Sequence, residues 1–326
     1  MLLLVLISAI CTSQVRAQTL QWIGQTFDTT TNSVTLSTLS DSGVINSTLG
    51  SFQLPIGSTI GEDLFRCMPY GYYCQFIYVD STGSATLVNV SLAVQVQGQV
   101  ALPPVDKIVS LHVDHSTDNS YFTTLTDSGS GASIMSVAND GTALTVVDLS
   151  NYLIQAGSGA TINTGGATHC SNLKTMWVTI SNNVTSSGLI LTIDLDKGQV
   201  VNVTKLSFAG FISLWADCSE FDVKTDIPGG IVFDTRKSIL SYGVVGTSGE
   251  FISQAVSGVI SGGLIPSGLL TFANVFDTNY NYAALLYPPG SKPGEKVNGN
   301  IAFFSFEGPG MTLSPITYYL AGASLS

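Results

Sequence analysis

Short runs of alternating apolar and polar residues, each ended by a turn, occupy most of the chain. The most regular segment has four such runs in succession: 107–114, 121–126, 133–138 and 143–149. Alternation over four to eight residues indicates a strand with one buried face. Asn139-Asp140-Gly141 separates the last two runs, and an Asp-Gly pair at such a place is typical of a hairpin turn. We therefore predict four antiparallel strands here.

The first run of each segment ends in a recurring polar position. Val109–Ser116 and Ile212–Ser219 are the most similar copies, and each enters its turn at an Asp. Less similar copies of this strand can be aligned by the polar residue at which each one enters its turn. The aligned residues of the six segments are Asp28, Arg66, Asp114, His169, Asp217 and Asp277. We interpret them as six copies of one strand, each opening a small antiparallel sheet.

Four-stranded units of this kind, repeated along a chain, resemble the secreted members of the β-propeller superfamily. The resemblance is one of layout, since no motif of a particular propeller family is present. It implies an all-β fold with six four-stranded blades, seven being the alternative count. A strand at 316–320 is expected to lie beside the strand at 20–27 and close the ring. A β-sandwich pair and a parallel β-helix are the competing folds.

The N-terminus begins with a short apolar run that ends near Val15-Arg16-Ala17. This is the pattern of a signal peptide over residues 1–17, with cleavage before Gln18. Residues 18–326 are then expected to form a single β-propeller domain. The run is too short to cross about 30 Å of hydrocarbon, which disfavours a membrane anchor and leaves no transmembrane helix in the mature chain.

Charged residues make up only 10% of the chain, and its net charge is −11. The exposed faces of helices usually carry Glu and Lys, so the scarcity of these residues disfavours helices. Ser and Thr are common on the solvent-facing side of strands. A strongly acidic chain without a basic patch is not expected to bind nucleic acid.

Four Asn-X-Ser/Thr sequons are present, and each is a candidate glycosylation site in a secretory pathway. Their asparagines are Asn46, Asn89, Asn183 and Asn202. Together with the leader they favour a secreted, extracellular glycoprotein.

Four cysteines remain after the leader. An even number in a secreted chain suggests two disulfides. Cys67 and Cys74 flank one turn, whereas Cys170 and Cys218 lie near equivalent positions of consecutive units. We therefore predict the pairs Cys67–Cys74 and Cys170–Cys218.

The six aligned residues are the one candidate metal site. If they end the innermost strands, Asp28, Asp114, Asp217 and Asp277 surround one mouth of the channel, with His169 as a further ligand and Arg66 as a charge partner. Carboxylate oxygens of this kind would suit Ca²⁺. The favoured alternative is that each Asp bonds its own turn.

His112 lies two residues before Asp114, on the same face of the strand. A metal or acid–base role is one interpretation of this pair, and a solvated strand end is the favoured one.

No sequence signature of a catalytic site is found. The favoured function is a secreted or cell-surface glycoprotein that acts as a rigid scaffold for a protein or glycan partner. The alternative is an extracellular metal-dependent hydrolase or lyase with its site at the channel mouth.

Overall fold

The structure is a computed structural model of the whole 326-residue chain. It describes residues 22–40, 45–67, 73–114, 117–138, 141–162, 167–170, 174–182, 184–208, 211–215, 229–234, 239–245, 248–256, 265–270, 281–288, 291, 296–305, 310–316 and 322–325.

The described residues form six antiparallel sheets, which we number in chain order. Sheet one contains β1 (Trp22–Asp28), β2 (Ser33–Leu39) and β3 (Ile45–Gln53). Sheet two contains β4 (Thr59–Cys67), β5 (Tyr73–Val79), β6 (Ala85–Ser91) and β7 (Val96–Ala101). Sheet three contains β8 (Lys107–Val113), β9 (Ser120–Leu125), β10 (Ala132–Val137) and β11 (Ala143–Asp148).

A short helix, α1 (Ser150–Ala156), leads into sheet four. This sheet contains β12 (Ala160–Thr161), β13 (Ala167–Cys170), β14 (Thr175–Asn182), β15 (Ser187–Asp194) and β16 (Gln199–Leu206). Sheet five contains β17 (Phe211–Trp215), β18 (Gly229–Asp234), β19 (Ile239–Val245) and β20 (Phe251–Val256). Sheet six contains β21 (Ile265–Leu270), β22 (Asn281–Tyr287), β23 (Gly299–Ser305) and β24 (Gly310–Ile316). The last strand, β25 (Gly322–Leu325), returns to sheet one.

The inner strands of the six sheets surround a common axis. Contacts run from β25 to β4, β4 to β8, β8 to β13, β13 to β17, β17 to β21 and β21 back to β25. The path is closed, and each sheet extends outward from it. The all-β propeller predicted from the sequence is confirmed.

The ring is closed within sheet one by strands from both ends of the chain. Gly322–Leu325 is hydrogen-bonded to β1, with Gly322 opposite Gln25 and Leu325 opposite Trp22. The predicted closure beside the N-terminal strand is therefore present. The closing strand had been predicted at 316–320. Ile316 instead ends β24 in sheet six, and residues 317–320 lie outside the described residues.

Apolar side chains fill the spaces between sheets one and two, two and three, and three and four. Phe65 and Phe76 of sheet two pack with Val34 of sheet one. Leu111 of sheet three packs with Ile77 of sheet two in a separate cluster. Another cluster joins sheets three and four. β8 is buried on both faces after its first two residues, and Lys107 is its only charged residue.

The helix α1 was not predicted, because the low charge of the chain disfavoured helices. Ser150 N donates to Asp148 Oδ1 at 2.9 Å where the helix begins. The side chain of Asn182 donates to the carbonyl of Ala156 at 2.8 Å where it ends. Within the described residues no helix has the length and apolar character needed to cross a membrane.

Candidate functional site at the ends of the inner strands

The two ends of the ring are distinguished by the direction of the inner strands. We call the end at which β4 and β8 finish the exit end and the opposite one the entry end. Arg66 lies on β4, Asp114 follows β8 directly, and His169 lies on β13. These three predicted residues therefore reach the exit end. Two others, Asp217 and Asp277, lie outside the described residues.

Asp28 lies elsewhere. In sheet one the innermost position belongs to β25, so β1 is the second strand and runs in the opposite direction. Asp28 ends β1 at the entry end, where its Oδ1 accepts hydrogen bonds from the backbone N–H of Thr30 at 2.8 Å and of Thr31 at 3.4 Å. These bonds, chiefly that from Thr30, lower the pKa of Asp28. The structure therefore does not bring Asp28 to Asp114, and Asp28 bonds its own turn.

Asp114 forms an ion pair between sheets three and four. Its Oδ2 accepts a hydrogen bond from Nζ of Lys174 at 2.6 Å. The Asp114 side chain is fully buried, whereas that of Lys174 retains 26% exposure. Lys174 occupies the turn that precedes β14, with φ at +49°. A buried carboxylate requires such a partner, since its desolvation is otherwise costly.

Lys174 was missed by the sequence analysis, because it is 60 residues from Asp114 in the chain. One signal was available. The chain has only 11 Lys and Arg residues, so a Lys in a turn that follows an aligned His–Cys ending was a candidate partner for the acids.

Three aromatic rings meet beside this ion pair. His112 lies opposite Tyr121 in the pairing of β8 with β9. The ring of His169, from sheet four, has its centroid 5.5 Å from Tyr121 and 6.5 Å from His112. Burial raises the pKa of Tyr121, and the charge of Asp114 raises it further. The site is therefore built from two adjacent sheets.

His112 is buried rather than solvated, contrary to the favoured interpretation of the sequence. Its Nε2 has no hydrogen-bond partner. Burial lowers its pKa well below 6.5, and the nearby charges of Arg66 and His169 add to this effect. His112 is therefore a neutral imidazole at pH 7.

Sheets two and three are also joined by polar contacts. Ser120 Oγ donates to Gln75 Oε1 at 2.7 Å, in a buried position. Tyr73 Oη donates to Asp118 Oδ1 at 3.2 Å. Burial and the charge of Asp118 raise the pKa of Tyr73 to about 12. Arg66 lies opposite Gln75 and donates from Nη1 to the carbonyl of Phe65 at 2.7 Å.

These geometries favour a bracing role for the polar groups at the exit end. In the part of the chain that the structure describes, no three His, Cys, Asp or Glu side chains form a group that could hold a metal ion. The calcium site remains a prediction that depends on Asp217 and Asp277.

The Cys67–Cys74 disulfide is present and joins the ends of β4 and β5. Cys170 is also disulfide-bonded. Its predicted partner, Cys218, lies outside the described residues.

The sequon asparagines occupy different environments. Asn46 on β3 and Asn202 on β16 are exposed, and both strands are the outermost of their sheets. Asn89 lies on β6, between β5 and β7, and is half-buried with a buried Oδ1. Asn183 lies outside the described residues.

At the entry end, a cavity of about 330 Å³ lies between sheet two and the start of β8. Its walls are mainly apolar and include Leu64, Val79 and Ile108, and Asp106 and Lys107 also line it. This volume lies at the small end of the range for small-molecule sites.

No model of a known protein family matches the chain. No curated protein matches it in sequence either.

Solved structures do resemble its fold. AofleA from Arthrobotrys oligospora is similar at 12% identity and a TM-score of 0.52, over 80% of this chain and 72% of that one. A 6-phosphogluconolactonase-like protein from Bacteroides fragilis is similar at 8% identity and a TM-score of 0.51, over 94% and 98%. A chain of a nidogen–laminin complex aligns at 11% identity and a TM-score of 0.49, over 94% and 97%. The chain has a β-propeller fold. At these identities the likeness concerns the fold alone, since one fold carries many functions.

Proposed function

We propose that this protein is a secreted or cell-surface glycoprotein whose propeller is a rigid scaffold for a protein or glycan partner. In this proposal residues 1–17 are removed as a signal peptide and residues 18–326 form the mature propeller domain. The function is one of binding, and the sheets hold the contact surface in a fixed shape.

The observation that carries the proposal is the use of the exit-end polar groups as braces between sheets. Asp114 and Lys174 join sheets three and four, and Gln75 and Ser120 join sheets two and three. Groups engaged in this way hold the ring in one conformation. A pre-organised surface loses less conformational entropy when a partner binds.

Two further features support an extracellular location. The Cys67–Cys74 disulfide is typical of oxidising compartments. Asn46 and Asn202 project from outermost strands, where a glycan would leave the core undisturbed.

The proposal is tested by expression in a eukaryotic cell line. We expect protein in the medium that begins at Gln18 and loses apparent mass after glycosidase treatment. Retention of residues 1–17 in the released product would contradict the secretory part.

Binding is tested separately with fluorescently labelled protein and intact cells. We expect saturable labelling that falls when the cells are treated either with protease or with glycosidases, and the treatment that removes it identifies the class of partner. Heat-denatured protein is the control. Labelling that does not saturate, or that equals the control, would contradict the scaffold role.

The alternative function is an extracellular metal-dependent hydrolase or lyase. It rests on the acidic positions Asp217 and Asp277, together with His169 and Arg66 near the exit end. Asp114 would have to exchange Lys174 for the metal, which makes this the less favoured candidate.

A further inference from the structure

The outermost strand of a propeller sheet has a partner on one side only. In the described sheets β3 and β16 occupy this position in sheets one and four. An open edge of this kind can pair with a second chain, and proteins usually protect it with charged residues, especially Lys. β3 has no charged residue, and β16 has only Lys205. These two edges therefore lack the usual protection. The outermost strands β7 and β20 also lack charged residues, but neither carries a sequon.

Large apolar side chains are exposed on the same two strands. Ile45 on β3 has 37% exposure. On β16, Val201 and Val203 have 51% and 37%. Leu144 on β11 is exposed as well, and β11 contacts β16. An unprotected edge combined with exposed apolar residues favours association between chains.

The exposed sequons coincide with these apolar positions. Asn46 directly follows Ile45, and Asn202 lies between Val201 and Val203. The same arrangement occurs in a third sequon, since the exposed Val184 directly follows Asn183. Exposed apolar residues thus adjoin three of the four sequon asparagines.

The Asn202 side chain is placed so that an attached glycan would lie beside the unpaired edge of β16. Its Oδ1 accepts a hydrogen bond from the Val203 backbone N–H at 2.9 Å. This side chain therefore lies along its own outermost strand, and a sugar attached to Nδ2 would start beside the open edge.

We propose that N-glycans on Asn46 and Asn202 cover the open edges of sheets one and four and keep the protein from associating through them. A glycan is bulky and strongly hydrated, so it excludes a second strand where a charged side chain would otherwise do so. The inference rests on the proposed secretion and glycosylation of the protein. Asn89 has no such role, because β6 has partners on both sides.

The test compares Asn46→Gln/Asn202→Gln with Asn89→Gln, both secreted from the same cells. Size-exclusion chromatography with light scattering should find the double variant as dimers and larger assemblies at concentrations where wild type is monomeric. Asn89→Gln should remain monomeric. Adding Val201→Lys to the double variant should restore monomers at least in part, because a charge then protects one edge.

Native glycosidase treatment of folded wild type gives a second route to the same state, in case the double variant folds poorly. It should produce the same assemblies without lowering the melting temperature. A deglycosylated protein that stays monomeric would overturn the inference.

Mass spectrometry of the secreted protein distinguishes failure of this inference from failure of the proposed function. If Asn46 and Asn202 carry no glycan, this inference fails, whereas the glycoprotein part of the proposed function fails only if Asn89 and Asn183 carry none either. If both carry glycans and their removal causes no association, only the edge-covering role fails.

Discussion

Asp114 and Asp194 form ion pairs with lysines at the same distance in two different environments. Both N–O distances are 2.6 Å. Asp114 is fully buried, whereas Lys197, the partner of Asp194, has 65% exposure. Water and salt screen the exposed pair, so its contribution to stability is small. The two pairs therefore provide a matched test of what burial contributes at the exit end.

We expect Asp114→Asn to lower the free energy of unfolding by about 2–3 kcal/mol, because it removes the buried carboxylate of the Asp114–Lys174 ion pair. The figure is at the low end for a buried pair because Lys174 can reach water. Lys197→Gln should cause no measurable change. Urea denaturation of both variants checks this. An equal effect of the two substitutions would show that Asp114 does not brace sheets three and four.

His112 makes stability depend on pH in a defined window. Its pKa in the folded protein lies well below the unfolded value of 6.5. Below pH 6.5 the unfolded chain binds a proton that the folded protein does not, so stability falls as the pH decreases. The slope approaches about 1.4 kcal/mol per pH unit until the folded pKa is reached.

His112→Phe should reduce the dependence of the free energy of unfolding on pH between pH 7 and pH 5. Urea denaturation at intervals of half a pH unit measures this. Exposed acids such as Asp28 and Asp80 do not interfere, because their pKa values are lowered from 3.8 and lie below this window. The same slope in variant and wild type would assign the pH dependence to another group, with His169 the next to test.

At the scale of strands, the sequence was most informative where pairing is local. The four runs predicted from 107 to 149 correspond to β8, β9, β10 and β11 within two residues at every end. Hairpin turns and alternation lie in the local sequence, so they could be predicted. Lys174 could not, because its contact with Asp114 depends on how two sheets pack.

In sheet one the pairing is not local. The sequence aligned the strand ending in Asp28 with the innermost strands, yet β25 from the other end of the chain holds that position. The closure was predicted from the propeller layout, but neither local sequence shows which of the two strands lies innermost. The alignment therefore misplaced Asp28 by one strand and placed it at the wrong end of the ring.

Deletion of residues 322–326 should greatly reduce soluble, secreted protein. β25 is the innermost strand of sheet one and also contacts β4, so its loss exposes the edge of β1 and opens the ring. The measurement is the yield in the medium and the melting temperature of any product. Deletion of Ser326 alone, which lies beyond β25, is the control. A shortened chain with normal yield and melting temperature would show that this strand is dispensable.

At the scale of the whole molecule, closure joins both ends of the chain in one sheet, so the ring is expected to unfold as a unit. A ligand that binds only the folded ring then stabilises every sheet at once. The melting temperature is therefore a sensitive probe for an ion bound where the inner strands converge.

The calcium hypothesis predicts that the melting temperature rises with the logarithm of the Ca²⁺ concentration. Asp114→Asn combined with Asp217→Asn should abolish the rise, whereas Asp28→Asn should leave it intact, because Asp28 lies at the entry end and bonds its own turn. This control separates a site at the exit end from a general effect of calcium on an acidic protein, which every variant would retain. The absence of any calcium-dependent shift would leave Asp114 with Lys174 as its partner and remove the main argument for a metal-dependent enzyme.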